Sequence, residues 1–414
     1  MNDRDAWPGA APERGSESPV AGAGGSGSRP GPIHPLLASG EEYPFVRLDR
    51  RRRELCPRGL EVIDFSVGDP SERTPDFIRE ALRAAVPEVS SYPATVGLPE
   101  LRAACAGWLE RRFGVAVDPD AELLPVNGSK EGVFLLALAV VDRGERPAVV
   151  IPAPAYPVYE AGARFAGADV HLVPLRSADG WRFDPDRVPQ DVWRRTALLW
   201  LNYPHNPTGA TLPRETFERV ARLARRLGFW VASDEAYADL YFGSPPGSLL
   251  ECGLENALAF HTLSKRSAMT GYRSGFMAGD RRLIAALRRL RPSVGVATPE
   301  FVQRAALAAW SDDAHAEAQR ARYAEKRDWV MAEIRRRGWT IEASEATFYL
   351  WVRAPQGDDA AWVEGLMRRG IVATPGSFLG AGGAGFVRWA LVPTLERCRA
   401  AFERLDRSAD GVSG

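Results

Sequence analysis

The chain has 414 residues, its 53 basic residues are balanced by 53 acidic ones, and 45% of it is apolar. Zero net charge argues against a nucleic-acid binder that works by charge, and the apolar content argues against disorder over the whole length. Only Lys130, Lys265 and Lys326 among the 53 basic residues are lysines, so 50 are arginines. A lysine kept in such a background merits scrutiny, because arginine cannot be deprotonated and so cannot do amine chemistry.

Residues 1–33 are rich in Gly, Pro, Ser and Ala and read as a flexible tail, followed by an arm over 34–60. The run Arg50–Arg53 in 48–55 suits a solvated helix face. From residue 61 short apolar runs alternate with amphipathic stretches. Strands are predicted at 62–67, 123–126, 148–151, 169–173, 198–201, 230–233 and 257–262, and helices at 76–85, 101–113, 129–141 and 214–227. This alternation predicts an α/β fold with a mostly parallel central sheet in a large domain, 61–295. A long charged helix is expected over roughly 299–337 with a possible break, and Lys326 within it is expected at the surface. Strands at 339–342, 347–352, 371–373 and 386–391 with helices at 358–369 and 395–406 then describe a smaller α+β domain, 296–408.

The four cysteines are far apart without a CxxC pair, and the five histidines show no HExxH spacing, so no metal site or disulfide framework is indicated. The start of the chain lacks a basic segment followed by an apolar run, and no stretch reaches about eighteen apolar residues. A soluble, cytoplasmic protein with no membrane or nucleic-acid partner is the expectation.

Lys265 stands in Thr262-Leu263-Ser264-Lys265-Arg266-Ser267, just past a predicted strand, with Arg273 following in Gly271-Tyr272-Arg273-Ser274-Gly275. Alone it would read as an exposed loop lysine. Hydroxyls, glycines and an arginine around an amine instead describe a phosphate cradle. Asp234, in Ser233-Asp234-Glu235-Ala236-Tyr237, ends another strand, where carboxyl ends of an open α/β sheet face a ligand crevice. Its plainer reading is a helix N-cap. Asn202-Tyr203-Pro204-His205-Asn206-Pro207-Thr208-Gly209 follows a third strand, on the same sheet edge. By itself it would be an Asn-Pro turn.

Taken together, these stretches resemble the class I/II aminotransferases of the pyridoxal-phosphate fold type I, in order and spacing, over roughly residues 34–405. The resemblance implies that 61–295 binds pyridoxal 5′-phosphate and that Lys265 forms the Schiff base with it. Asp234 would pair with the ring nitrogen, Asn206 and Tyr237 would bond the phenolic oxygen, and Arg273 with Thr262 or Ser264 would hold the phosphate. The Gly128-Ser129-Lys130 turn would add backbone donors at a helix N-terminus. Tyr156 resembles the aromatic that stacks on the ring. Tyr92 resembles the tyrosine donated across a homodimer interface. Arg388 resembles the fork that clamps the substrate α-carboxylate, with Gly68 also lining the substrate. Lys130 is unusual for the superfamily at large; it is a candidate substrate or phosphate contact, or simply a solvated helix-start lysine.

Such chemistry passes an amino group from glutamate to a keto acid by double displacement. The stretches 42–48, 128–131, 264–267, 309–312, 348–351 and 390–394 look most like succinyldiaminopimelate aminotransferases of lysine biosynthesis. LL-diaminopimelate, aspartate or other amino-acid aminotransferases share most of these motifs, and a carbon–sulfur lyase on the same fold is the enzymatic rival. Arg266 is a candidate for reading a distal carboxylate. A dehydrogenase would need GxGxxG after the first strand, where Val67-Gly68-Asp69-Pro70 stands instead. A DNA-binding regulator would need a helix-turn-helix module, for which residues 1–33 are too short.

Overall fold

The computed structural model describes residues 31–38, 42–295 and 297–407. Most of the expected 1–33 tail thus lies outside the described residues. The chain divides into two units, 1–41 and 42–414. In the first, the described residues form the short helix Pro35–Ala38.

The second unit is built on a seven-stranded sheet in the order Leu123–Val126, Gly275–Gly279, Ala257–Thr262, Trp230–Asp234, Thr196–Leu201, Ala148–Ala153, Asp169–Pro174. The last five pair in parallel, and Gly275–Gly279 runs antiparallel to both its neighbours. Several strands read as unbroken apolar runs because both faces are covered. Leu199, Leu201, Val231 and Phe276 face a layer with Trp108, Leu109, Phe217 and Val220. The alternate residues Leu198, Trp200, Ala232 and Met277 face Val133, Leu136 and Ala163 on the other side. Trp108 and Trp200 are essentially buried; truncating either to Ala would cost about 3–5 kcal/mol.

Gly275–Gly279 is a strand that pattern reading does not give. A Cβ at Gly275 would come within 2.5 Å of the His261 carbonyl and one at Gly279 within 2.1 Å of that of Ala257. Close backbone approach thus demands the glycines that disguise the strand.

A four-stranded antiparallel sheet (Thr374–Pro375, Phe386–Ala390, Tyr349–Arg353, Ile341–Ala343) carries the C-terminal part. The expected long helix divides into Glu300–Trp310 and Ala314–Arg336, and the Asp312 carboxylate accepts the His315 N–H at the break.

Two expectations need correction. Strand Ile63–Asp64, expected in the large sheet, pairs in parallel with Ile371–Val372 instead. It ends after two residues because the Asp64 side chain takes the Ser66 N–H at 2.7 Å, and Ile63 and Phe65 pack with Leu48, Val372 and Trp389. Lys326 is not at the surface: it is only 4% exposed, paired with Glu72. Among the described residues no helix is long and apolar enough to cross a membrane.

Candidate active site

The carboxyl edge of the large sheet gathers most of the predicted residues. Asp234 closes Trp230–Asp234, Asn202 and Asn206 follow Thr196–Leu201, and Thr262 closes Ala257–Thr262. Thr262 caps the one-turn helix Leu263–Arg266: its Oγ1 accepts the Ser264 N–H at 3.1 Å and lies 2.9 Å from the Ser264 hydroxyl. That turn carries Lys265, whose Nζ donates to the Gly68 carbonyl and lies 5.7 Å from the Phe348 ring centroid. Burial lowers the Lys265 pKa to about 8; Arg388 and Arg273 push the same way, against Asp69 and Asp234. An amine in that state is partly neutral near pH 7, as imine formation or proton abstraction requires.

Asp234 is 5% exposed. Burial raises its pKa, while the Tyr159 hydroxyl, donating to Oδ2 at 2.7 Å, and the Ala236 N–H, donating to Oδ1 at 3.3 Å, draw it down. Asn202 donates to the Asp234 carbonyl at 2.7 Å and accepts the Asn206 N–H at 3.0 Å, so strand end and Asn-Pro turn are locked together. The Asn206 carboxamide oxygen accepts from Arg388 Nη1 at 2.8 Å, and Arg388 Nη2 donates to the Ser66 carbonyl. Arg388 is 2% exposed, and its buried Nε has no acceptor among the described residues. The Tyr237 hydroxyl lies 2.8 Å from that of Tyr349, and a Cβ on Gly68 would come within 2.1 Å of the Tyr349 hydroxyl. A side chain at Gly68 would therefore displace the Tyr349 ring from Tyr237.

A second cationic corner lies where Gly128 caps helix Ser129–Val140. Arg273, at φ +53°, turns its guanidinium to the Thr270 carbonyl at 2.8 Å and the Asn127 carbonyl at 3.2 Å. Gly128 has φ +75°, and a Cβ there would sit 2.3 Å from Arg273 Nη2. The Lys130 ammonium is 5.8 Å from the Tyr156 ring centroid, and burial, then the charge of Arg273, lowers its pKa. The Tyr156 ring stands edge-on to Tyr159 at 5.7 Å, and burial pushes its phenol up.

Tyr92 is not part of this gathering; it is 93% exposed. Arg266 does not serve a substrate carboxylate, because two carboxylates of the chain already neutralise it: its guanidinium donates to Asp239 at 2.6 Å and Asp313 at 3.1 Å, besides the Ala309 carbonyl at 2.9 Å. Among the residues that sequence reading missed, Tyr159 and Tyr349 matter most. Tyr159 lies three positions beyond Tyr156 and Tyr349 within 348–351, but nothing local pairs the first with Asp234 or the second with Tyr237.

The arrangement fits a phosphate-bearing aldehyde on a ring. A helix N-terminus beside a guanidinium that, among the described residues, is bonded to carbonyls suits an anion, a half-buried amine suits a carbonyl carbon, and a buried carboxylate suits a cationic ring nitrogen. Pyridoxal 5′-phosphate has those groups.

The chain matches the family described as "Aminotransferase class I and II" over residues 61–405. It is 39% identical to the LL-diaminopimelate aminotransferase of Syntrophobacter fumaroxidans over 88% of this chain and 95% of that relative. Among solved structures it resembles an aminotransferase from Neisseria meningitidis at 36% identity, TM-score 0.85, covering 91% of this chain and all of that one. It also resembles a probable N-succinyldiaminopimelate aminotransferase from Thermus thermophilus at 33% identity, TM-score 0.81, covering 88% of this chain and all of that one.

Proposed function

Because the chain belongs to the class I and II aminotransferases, enzymes dependent on pyridoxal 5′-phosphate, we propose that it transfers the amino group of LL-diaminopimelate to 2-oxoglutarate, or the reverse. The observation that carries this reading is the set of relatives named LL-diaminopimelate aminotransferase, 35–39% identical over 88–90% of the chain. It favours the unacylated substrate over the succinylated one that the sequence stretches resemble most. The Thermus neighbour keeps the succinylated substrate as the competing outcome.

Lys265, Asp234, Asn206, Tyr237, Arg273, Thr262, Ser264, Gly128, Ser129, Lys130 and Tyr156 would hold the cofactor, with Tyr92 supplied by a second copy in a homodimer. When bound, pyridoxal phosphate offers an aldehyde carbon that accepts the amino group and a ring that accepts the electrons of the substrate Cα–H bond. The Asp234 carboxyl, at the end of its strand and bonded by the Tyr159 hydroxyl, would pair with the cofactor's ring nitrogen. Arg388 takes the substrate α-carboxylate, its fork already aimed by Asn206 and the Ser66 carbonyl. Gly68 leaves room at that face. Lys265, released from the Gly68 carbonyl, carries the proton to and from the substrate Cα. Two fixed anchors, one for phosphate and one for carboxylate, orient the Cα–H bond. Lys130, half-buried beside Tyr156, is a candidate for a second carboxylate or for the phosphate.

The test is a direct comparison. Holoenzyme is given 2-oxoglutarate with either LL-diaminopimelate or its N-succinyl derivative, and glutamate formed is measured. We expect kcat/KM at least about tenfold higher for the free diamine, whose keto product cyclises with loss of water. The opposite preference would refute the unacylated reading and leave the aminotransferase intact. Pyruvate and ammonia released from cystathionine instead would indicate a lyase.

A further inference from the structure

Lys326 is the one lysine of the three that the proposed chemistry does not use. It lies on helix Ala314–Arg336, well away in sequence from the other site residues. Its ammonium donates to the Glu72 carboxylate and, at 3.2 Å, to the Pro393 carbonyl, and sits 4.3 Å from the Tyr323 ring centroid. The Tyr323 hydroxyl donates to the other Glu72 oxygen at 2.7 Å. Lys326 is buried and Glu72 nearly so, their side chains 5% and 11% exposed. As a pure stability device this is poor, since well-packed apolar residues in place of a buried ion pair often stabilise as much. The pair makes sense if it fixes where something is.

What it fixes is the segment 66–72, which has no helix or strand of its own. The Ser66 carbonyl accepts from Arg388 and, at 3.0 Å, from Thr374 Oγ1; Ser71 Oγ donates to the Val392 carbonyl; and just beyond, Thr74 Oγ1 donates to the Ala268 carbonyl at 2.6 Å. Between these pins lie Gly68, whose carbonyl receives the Lys265 ammonium, and Asp69, whose charge acts on it. The segment is a strap across the amine, and Glu72 is its anchored end. A compact ammonium can donate to a carboxylate and a carbonyl in different directions while lying on a ring, whereas a planar guanidinium wants coplanar acceptors. That accounts for a lysine here in a chain that otherwise uses arginine.

We infer that Lys326 is a positioning residue: through Glu72 it holds the 66–72 strap that in turn holds Lys265. This rests on the role assigned to Lys265 above. The test uses Lys326→Met, Glu72→Gln, the double variant and Tyr323→Phe. Each is followed by hydrogen exchange of the protein with and without pyridoxal phosphate, thermal melting, and kcat and KM for the amino donor. The single variants should speed amide exchange in the strap by roughly 100-fold while strand Ala257–Thr262 keeps its protection. In them kcat should fall about tenfold and KM change less than about threefold.

The double variant, with no orphaned charge, should regain its melting temperature but neither strap protection nor kcat. Recovery of all three would make the pair merely structural and overturn the inference, as would unchanged strap exchange in the single variants. If those fail to fold, Tyr323→Phe, which removes one donor to Glu72, should show the same shifts at smaller size, and an unmoved strap there overturns the inference equally. Turnover surviving Lys265→Ala would instead refute the role of Lys265 itself, and it leaves the strap's exchange response intact.

Discussion

The clearest quantitative consequence of the site concerns the state of the Lys265 amine. With a pKa brought from 10.5 to about 8, roughly one Lys265 in ten is neutral at pH 7, about 300 times the fraction of an ordinary lysine. Uptake of pyridoxal phosphate by the apoenzyme, followed by absorbance, reads this directly. Dividing its rate by that of a free lysine side chain at the same pH cancels the ionisations of the aldehyde. The ratio should stay flat below pH 8 and fall about tenfold per pH unit from there toward 10.5. Asp69 favours the ammonium, so Asp69→Asn should move the break to lower pH. Borohydride reduction after uptake, with peptide mapping, should place the cofactor on Lys265 and on neither of the other two lysines. A ratio without a break between pH 6 and 10, or a label on Lys130, would refute the reasoning.

Tyr159→Phe removes the hydroxyl that draws the Asp234 pKa down, so the acid limb of the kcat profile should move to higher pH and kcat at pH 7 fall about tenfold. Arg388→Lys replaces a fork by a point charge, and KM for glutamate and for the keto acid should rise by about 100-fold with kcat changed far less. Burial raises Glu235 to about 7, above its unfolded value of 4.5, and holds the neighbouring His261, 3.6 Å away, near 3. The folded state therefore keeps an extra proton on Glu235 between those values, and stability is lost as pH rises through 7. Glu235→Gln should raise the melting temperature by about 2–5 °C at pH 8 and leave it unchanged at pH 5.

What was legible in the sequence divides along a physical line. Strands covered on both faces write themselves as apolar runs, and in a parallel sheet the polar residue that ends such a run lands at the ligand edge. Asp234, Asn206 and Lys265 could therefore be read as neighbours from three separate stretches, and the structure does bring them to one edge. Contacts decided at long range leave no such trace. Tyr159 looks like any helix tyrosine until Asp234, 75 positions away, turns out to be its partner. Strand Ile63–Asp64 looks like the start of the large sheet, and only the packing of Ile63 and Phe65 against C-terminal residues sends it to Ile371–Val372.

Lys326 is the sharpest case. In Glu325-Lys326-Arg327-Asp328 every local signal is that of a solvated helix face. The carboxylate that draws it inward lies 254 positions earlier, on the strap that also bears Gly68. Scarcity of lysine was the only sequence-level clue, and it points to positions where an ammonium does something a guanidinium cannot. At Lys265 that is losing a proton; at Lys326 it is fitting between a carboxylate, a carbonyl and an aromatic ring. The same compositional bias thus marks both the amine and the residue that holds it in place, for two different chemical reasons.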